Sequence, residues 1–292
     1  MPQPIAIAGA GRVGQALGRL LRERGEPVAA IAGRHPETTA AAAAFVGGAP
    51  QSVSLAELPR YASRILVAVP DDAITDVARL LAASGLRYGA ALHTCGARGP
   101  EALAPLAAAG VSCGTLHPLQ TVASPEEGLR ALPGVAFAVD GEGDAAAWAE
   151  HIAALLGGFV LRVPPAARPL YHAAAVLAGN YLIALFSAAV MLMEEAGVKE
   201  SQARQALEPL AVTSVRNASQ FGPNRALTGP IARGDAQTVR AHLAALAQAD
   251  PSVVDLYRAV GLATVEIARR QGLPAAPARA ICDLLQKGEQ RG

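Results

Sequence analysis

Ten residues near the N-terminus, Ile5-Ala6-Ile7-Ala8-Gly9-Ala10-Gly11-Arg12-Val13-Gly14, constrain this chain more than any others. A short apolar run leads into G-x-G-x-x-G, and an amphipathic stretch from Gln15 to Arg24 comes next. The spacing predicts a strand, a tight turn at Gly9, bare backbone at Gly11 and close helix-strand packing at Gly14, which are the parts a dinucleotide pyrophosphate needs. The helix aims its unpaired N–H groups and the positive end of its dipole at the phosphates. Arg12 and Val13 complete the loop and are expected to contact the cofactor with the three glycines.

The second strand and its turn select the cofactor. Val28 to Ala32 reads as a fully buried parallel strand. An NAD-binding fold places Asp or Glu about 20 residues beyond the glycines, on the ribose 2′-hydroxyl. Here the strand ends in Gly33-Arg34-His35. A guanidinium at Arg34 suits a 2′-phosphate, so the expected cofactor is NADP. The alternatives are an exposed loop arginine, or Glu37 folding back to a ribose hydroxyl.

Further strands are expected near 51–54, at 64–69, 89–94, 111–116, 135–139 and 159–163, with helices between them. Residues just past the carboxyl end of a parallel strand face the ligand crevice, so Val69 and Pro70 are expected to wall the cofactor. At least one of Asp71 and Asp72 is expected to cap the helix 73–84. Two strand ends deliver histidines to the same rim, His93 and His117, the latter in His117-Pro118-Leu119-Gln120-Thr121.

Pro164-Pro165 with Pro169 marks the predicted boundary. Beyond it helical periodicity takes over, with helices near 167–196, 200–219, 235–248, 251–271 and 276–287, and a short polar C-terminus after Lys287. The predicted architecture is α/β: a doubly wound Rossmann sheet over residues 1–163, then an all-helical substrate and dimerisation domain over 164–292. Residues 173–193 carry no charge and are long enough to cross a bilayer. Asn180 near the middle and Ser187 favour a buried core helix over a membrane span. The 292 residues carry a net charge of +1 with no basic run, so a small-molecule partner is expected rather than nucleic acid. Cys95, Cys113 and Cys282 form no C-x-x-C pair, which argues against a zinc site or disulfide framework and suits a reducing compartment. With the first strand starting at once and no basic n-region before it, a cytoplasmic location is expected.

The segments GAGRVG, VAVPDD, HTCGA, GTLHPLQT, LYHAAAVLAGNYLIAL and LTGPIARGD together resemble the bacterial Rossmann-like proteins that carry the domain of unknown function 2520. That family is described as NADP-dependent oxidoreductases without an established reaction. It is similar in architecture to pyrroline-5-carboxylate reductase, ketopantoate reductase and the 6-phosphogluconate dehydrogenase group. The resemblance implies a C-terminal domain like that of 6-phosphogluconate dehydrogenase, a homodimer, and an active site in the cleft between the domains. In the hydroxyacid dehydrogenase relatives, the first long helix of that domain carries a lysine four residues before an asparagine. Here Asn180 is preceded at that spacing by Val176.

Positions 168, 172, 176 and 180 share one broad helical face, which places Arg168, His172 and Asn180 together. Reduction of a small carbonyl or imine by NADPH needs a group to protonate or stabilise the product, and a histidine titrating near neutrality suits that role. His172 is the first candidate and His117 the second, with Asn180 orienting the substrate and Gln120 or Thr121 assisting. Arg233, in Thr228-Gly229-Pro230-Ile231-Ala232-Arg233-Gly234-Asp235, is a candidate clamp for a substrate carboxylate, in a segment that equally reads as a turn capped by Asp235. Tyr171 and Tyr181 read as packing or interface residues. The rival reading is a non-catalytic NADP-binding or redox-sensing regulatory protein; an imine reductase of the pyrroline-5-carboxylate type is a further rival.

Overall fold

A computed structural model describes residues 3–286; the polar tail after Lys287 lies outside the described residues. Among these residues are eight strands: β1 (Ile5–Ala8), β2 (Val28–Ala32), β3 (Gln51–Val53), β4 (Arg64–Val67), β5 (Ala90–His93), β6 (Ser112–Pro118), β7 (Ala136–Gly141) and β8 (Phe159–Leu161). They form one sheet in the order β3-β2-β1-β4-β5-β6-β7-β8. The first six run parallel, β7 turns antiparallel to β6, and β8 returns parallel to β7.

Period-two alternation assigns the two faces of the sheet. Ile5, Ile7, Leu66 and Leu92 pack with helices α1 (Arg12–Glu23) and α2 (Pro36–Val46) on one face. Ala6, Ala8, Ile65, Val67 and Ala91 face the other side, under α3 (Ile74–Ala83) and α4 (Ala104–Ala108). Covering both faces is what permits strands as uniformly apolar as these. Helix α5 (Pro125–Ala131), which the apolar periodicity does not reveal, packs on α1, and α6 (Gly143–Leu155) fills the first face with Trp148 and Ile152. The signal for α5 is at its start: Ser124 accepts the N–H of Glu127, with Pro125 in the first turn.

The glycine turn is packed as its spacing requires. Gly9 has φ +128°, and a Cβ there would lie 2.2 Å from the carbonyl oxygen of Ala68. A Cβ on Gly14 would lie 2.2 Å from the carbonyl oxygen of Gly9. Around Gly11 there is open space.

After β8 the chain is helical: α7 (Arg168–Ala178), α8 (Asn180–Glu195), α9 (Glu200–Phe221), α10 (Pro223–Ala226), α11 (Ala236–Leu246), α12 (Pro251–Arg270) and α13 (Ala275–Gln286). The chain divides into two compact units that meet between Asn180 and Tyr181, later than the proline break at 164, so α7 belongs with the sheet. The reason is polar: Arg168 pairs with Asp140 of β7 and Glu101, and Tyr171 bonds His117 of β6.

Two expectations about the long helix need correction. It is not one straight rod: Gly179 (φ −110°, ψ −77°) separates α7 from α8, so the ladder through 168, 172 and 176 does not continue to Asn180. Nor is it a buried core. Val190 is the one buried residue of α8, and none in α7 is buried, whereas Leu170 is 76% exposed and Ile183 65%. The core of the second unit is built instead from Ile231, Val239, Val265, Ala268, Ile281 and Leu285, on α11, α12, α13 and the turn before them. An uninterrupted apolar sequence says that a helix must be covered; it does not say by what.

Gly14→Ala should therefore lose about 1–3 kcal/mol in urea unfolding, because the new methyl is driven into backbone. Gly11→Ala, with its methyl in open space, should cost less than about 1 kcal/mol.

Candidate functional site

The strand order reverses between β1 and β4, and the crevice outside the carboxyl ends of these strands is where an open α/β sheet binds its ligand. Gly9 crosses there at contact distance from Ala68 and Val69, the backbone just past β4. Gly11 is the N-cap of α1 with no side-chain cap, and no acidic residue stands in the first turn. The first N–H groups of the helix are thus left for an anion, beside exposed Arg12. At the end of β2, Gly33 lies so near Ala10 that a Cβ would meet the Ala10 methyl at 2.9 Å. This holds the β2 turn beside the glycine loop. Arg34 comes next, exposed and without an ion pair among the described residues; Glu37 is also exposed, in the first turn of α2. These residues fit a dinucleotide phosphate by open backbone, dipole and free guanidinium.

Val69 and Pro70 stand beside this loop, but neither aspartate after them caps a helix through its side chain. The reason is an intervening 3₁₀ turn, Asp71–Ala73, which starts before α3 and is held by Arg98, whose guanidinium donates to the Asp71 carbonyl (2.9 Å) and to Thr75 Oγ1 (3.1 Å).

The two strand-end histidines differ in kind. His93 is fully buried; its Nε2 donates to the Gly99 carbonyl (2.8 Å) and its Nδ1 accepts the Cys95 N–H (3.2 Å). With both nitrogens engaged and burial lowering its pKa, it is a strut for the loop 93–99. His117, on β6, is half-buried beneath that loop, and a Cβ on Gly96 would lie 2.6 Å from its ring. Its Nδ1 is 2.7 Å from the Tyr171 hydroxyl, with the two rings edge to face. Burial, then the neighbouring His172, pushes His117 down to about 4, so it is neutral at pH 7 rather than titrating near neutrality. Burial likewise raises Tyr171 to about 12, so the phenol keeps its proton.

The remaining candidates differ in their surroundings. His172 is half-buried next to this pair and makes no hydrogen bond among the described residues. Asn180 is exposed at the start of α8. Gln120 is turned onto its own backbone, its Oε1 accepting the Thr121 N–H (2.8 Å). Arg168 is consumed by Asp140 and Glu101. In the helical unit, exposed Arg233 lines an open cavity of about 470 Å³ with Thr228 and Gln271, while Asp235 caps α11 by accepting the Thr238 N–H (3.0 Å). The same turn supplies Thr228, Pro230 and Ile231 to an apolar cavity of about 390 Å³. Tyr171, which the sequence reads as a packing or interface residue, is the side chain that the fold places on His117. Stepping by four from Arg168 selects His172; stepping by three, the other helical neighbour, selects Tyr171.

Parallel sheet, glycine crossing and polar rim define a Rossmann-type platform followed by a helical unit. Correspondingly, residues 3–118 match the model of the Rossmann-like domain and residues 135–264 that of the domain of unknown function DUF2520. Among solved structures it is similar to protein TM1727 of Thermotoga maritima (TM-score 0.76, 21% identity, covering 91% of this chain and 99% of that one). It is also similar to a candidate NADP oxidoreductase of Bacteroides fragilis (TM-score 0.74, 23% identity, 91% and 98% covered). A Plasmodium falciparum pyrroline carboxylate reductase, with NADP bound, matches more distantly (TM-score 0.56, 12% identity, 98% and 97% covered). At these identities the likeness is one of fold. No curated protein matches the chain.

Burial, with Asp71 nearby, raises the Cys95 thiol to about 11, and burial raises Cys113 to about 11 as well. Only roughly 1 in 10,000 of each is thiolate at pH 7. Iodoacetamide should therefore label neither in the native chain at pH 7 on the timescale of an exposed thiol, with labelling rising as pH approaches 11; peptide mass spectrometry reads the outcome.

Proposed function

We propose that this chain is an NADPH-dependent oxidoreductase that reduces a small carbonyl or imine. The observation that carries the reading is the juxtaposition, on one sheet rim, of a glycine loop open at Gly11 and a hydrogen-bonded His117–Tyr171 pair at the end of β6. The names of the fold neighbours support it: one is a candidate NADP oxidoreductase and one a reductase with NADP bound. Gly9, Gly11, Arg12, Val13 and Gly14 would hold the pyrophosphate, Arg34 the 2′-phosphate, and Val69 and Pro70 the adjoining wall. NADPH, when bound, supplies the hydride. His117 and Tyr171 replace His172 as the leading candidates for stabilising charge on the substrate heteroatom, since they are ordered by each other. His172 and Asn180 border the substrate, and Arg233 remains a candidate for an acidic group.

The test is direct. Arg34→Ala should weaken NADPH binding at least tenfold, about 1.4 kcal/mol, and leave NADH binding unchanged. Equal affinity of the wild type for NADPH and NADH in calorimetry would overturn the cofactor assignment. His117→Ala should abolish turnover on any carbonyl or imine reduced by the wild type, while keeping NADPH affinity. Tight NADPH binding with no turnover across a substrate panel would favour the regulatory reading.

The exposed apolar helices belong to the same proposal, which takes the chain to be a homodimer. A helix apolar on all sides requires cover, and α8 finds little within its own chain. The exposed large apolar side chains of α8 and α9, with Val260, offer on the order of 800 Å², one partner's share of a standard interface. The membrane alternative is disfavoured because α7, continuous with α8 but for Gly179, is tied to the sheet through Arg168 and Tyr171. Light scattering should give twice the chain mass, and Ile183→Asp should shift it toward the monomer. A wild-type monomer at tens of micromolar would refute the dimer.

A further inference from the structure

We infer that Tyr171 is a positioning residue that holds His117 as the Nε2–H tautomer, making the imidazole a neutral donor to a substrate oxygen. This rests on the reading that the His117 rim faces the substrate. The contact between the Tyr171 hydroxyl and His117 Nδ1 is 2.7 Å, and it admits two assignments of the proton. A phenol O–H is a strong donor and a weak acceptor, while the bare nitrogen of a neutral imidazole is a strong acceptor. The hydroxyl therefore donates to Nδ1. A neutral imidazole that accepts at Nδ1 carries its proton at Nε2.

Three further observations support the assignment. The edge-to-face arrangement, with centroids 5.7 Å apart, sets the phenol against the side of the imidazole and fixes the ring plane. Gly96 closes over that ring so tightly that any side chain at 96 would collide with it, which limits tilting of the imidazole, and a flipped ring would set a carbon instead of Nδ1 against the Tyr171 hydroxyl. Nε2 itself makes no hydrogen bond among the described residues, yet it is not sealed from solvent. Besides Tyr171, the titratable groups acting on the ring are His172, Asp71 and His93, of which His93 is already committed at both nitrogens, while Cys95, Arg98 and the paired Arg168 and Asp140 line the same cleft. The ligand chemistry that fits a fixed, neutral N–H is a hydrogen-bond acceptor, a carbonyl oxygen in preference to a protonated imine.

Long-range ¹H–¹⁵N correlation on chain labelled with ¹⁵N-histidine reads the tautomer without any substrate. The spectrum at pH 7 should show His117 with a bare Nδ1 and a protonated Nε2, assigned by its loss in His117→Gln. His93, donating from Nε2 to Gly99, provides an internal reference of the same type. In Tyr171→Phe the His117 signals should move toward the exchange average of the two tautomers while those of His93 stay in place. A protonated Nδ1 in the wild type overturns the inference whether or not the variant folds, and so does an unchanged His117 pattern in a folded Tyr171→Phe. Loss of tautomer control in Tyr171→Phe together with full turnover in His117→Ala would leave the tautomer assignment standing and overturn the donor role toward substrate, with the catalytic reading beneath it.

Discussion

The crossing of α1 over the ends of β1 and β4 is the contact on which this structure depends. Gly14 meets the carbonyl of Gly9, and Gly9 meets the carbonyl of Ala68, each at a distance that excludes a Cβ. Three backbones are thereby locked where the strand order reverses, and the N-terminus of α1 is pinned at the crevice. Gly11 takes no part in that packing. Two glycines of the motif serve the fold and the third is left open for the proposed cofactor, a division that spacing alone does not reveal. From the same pinned point the sheet carries β4, β5 and β6 outward, setting His117 three strands away, roughly 14 Å along the rim.

The helical unit is balanced differently. Its core is confined to α11, α12, α13 and the turn before them, and α8 and α9 contribute Val190 and Ala203 as their buried residues. Burial on that scale leaves two of the longest helices with apolar surface facing water, a cost near 25 cal/mol for each Å² uncovered. An apolar partner surface removes that cost, and the twofold symmetry of a dimer would let one kind of patch serve both sides.

Most of the fold is readable from residues because parallel strands and their helices alternate in period. Val28 to Ala32 and Arg64 to Val67 are apolar runs of the right length between turn residues, and they form β2 and β4. What was not legible has physical causes. Helix α5 is short and only weakly periodic, so its cap residues are its main signature. The 21 uncharged residues from 173 to 193 encode a need for cover, and intrachain and interchain cover leave the same sequence pattern. The break at Gly179 moved Asn180 off the ladder that begins at Arg168. Tyr171 was hidden because its partner lies 54 residues earlier, on a different strand.

The chemistry proposed for this site turns on the neutrality of His117. Arg168, the cation nearest by sequence to Tyr171 and His172, is spent on Asp140 and Glu101. Val176 stands four residues before Asn180, where the resemblance to hydroxyacid dehydrogenases implies a lysine, and His117 is neutral. A buried lysine would have to be desolvated and held charged, at a cost of several kcal/mol unless paired. A neutral imidazole N–H oriented by a phenol avoids that cost and still stabilises negative charge developing on an oxygen, more strongly in a partly dry site than in water. The valine is then consistent with catalysis: it removes one way of handling the proton, and the His117–Tyr171 pair offers another built from neutral groups.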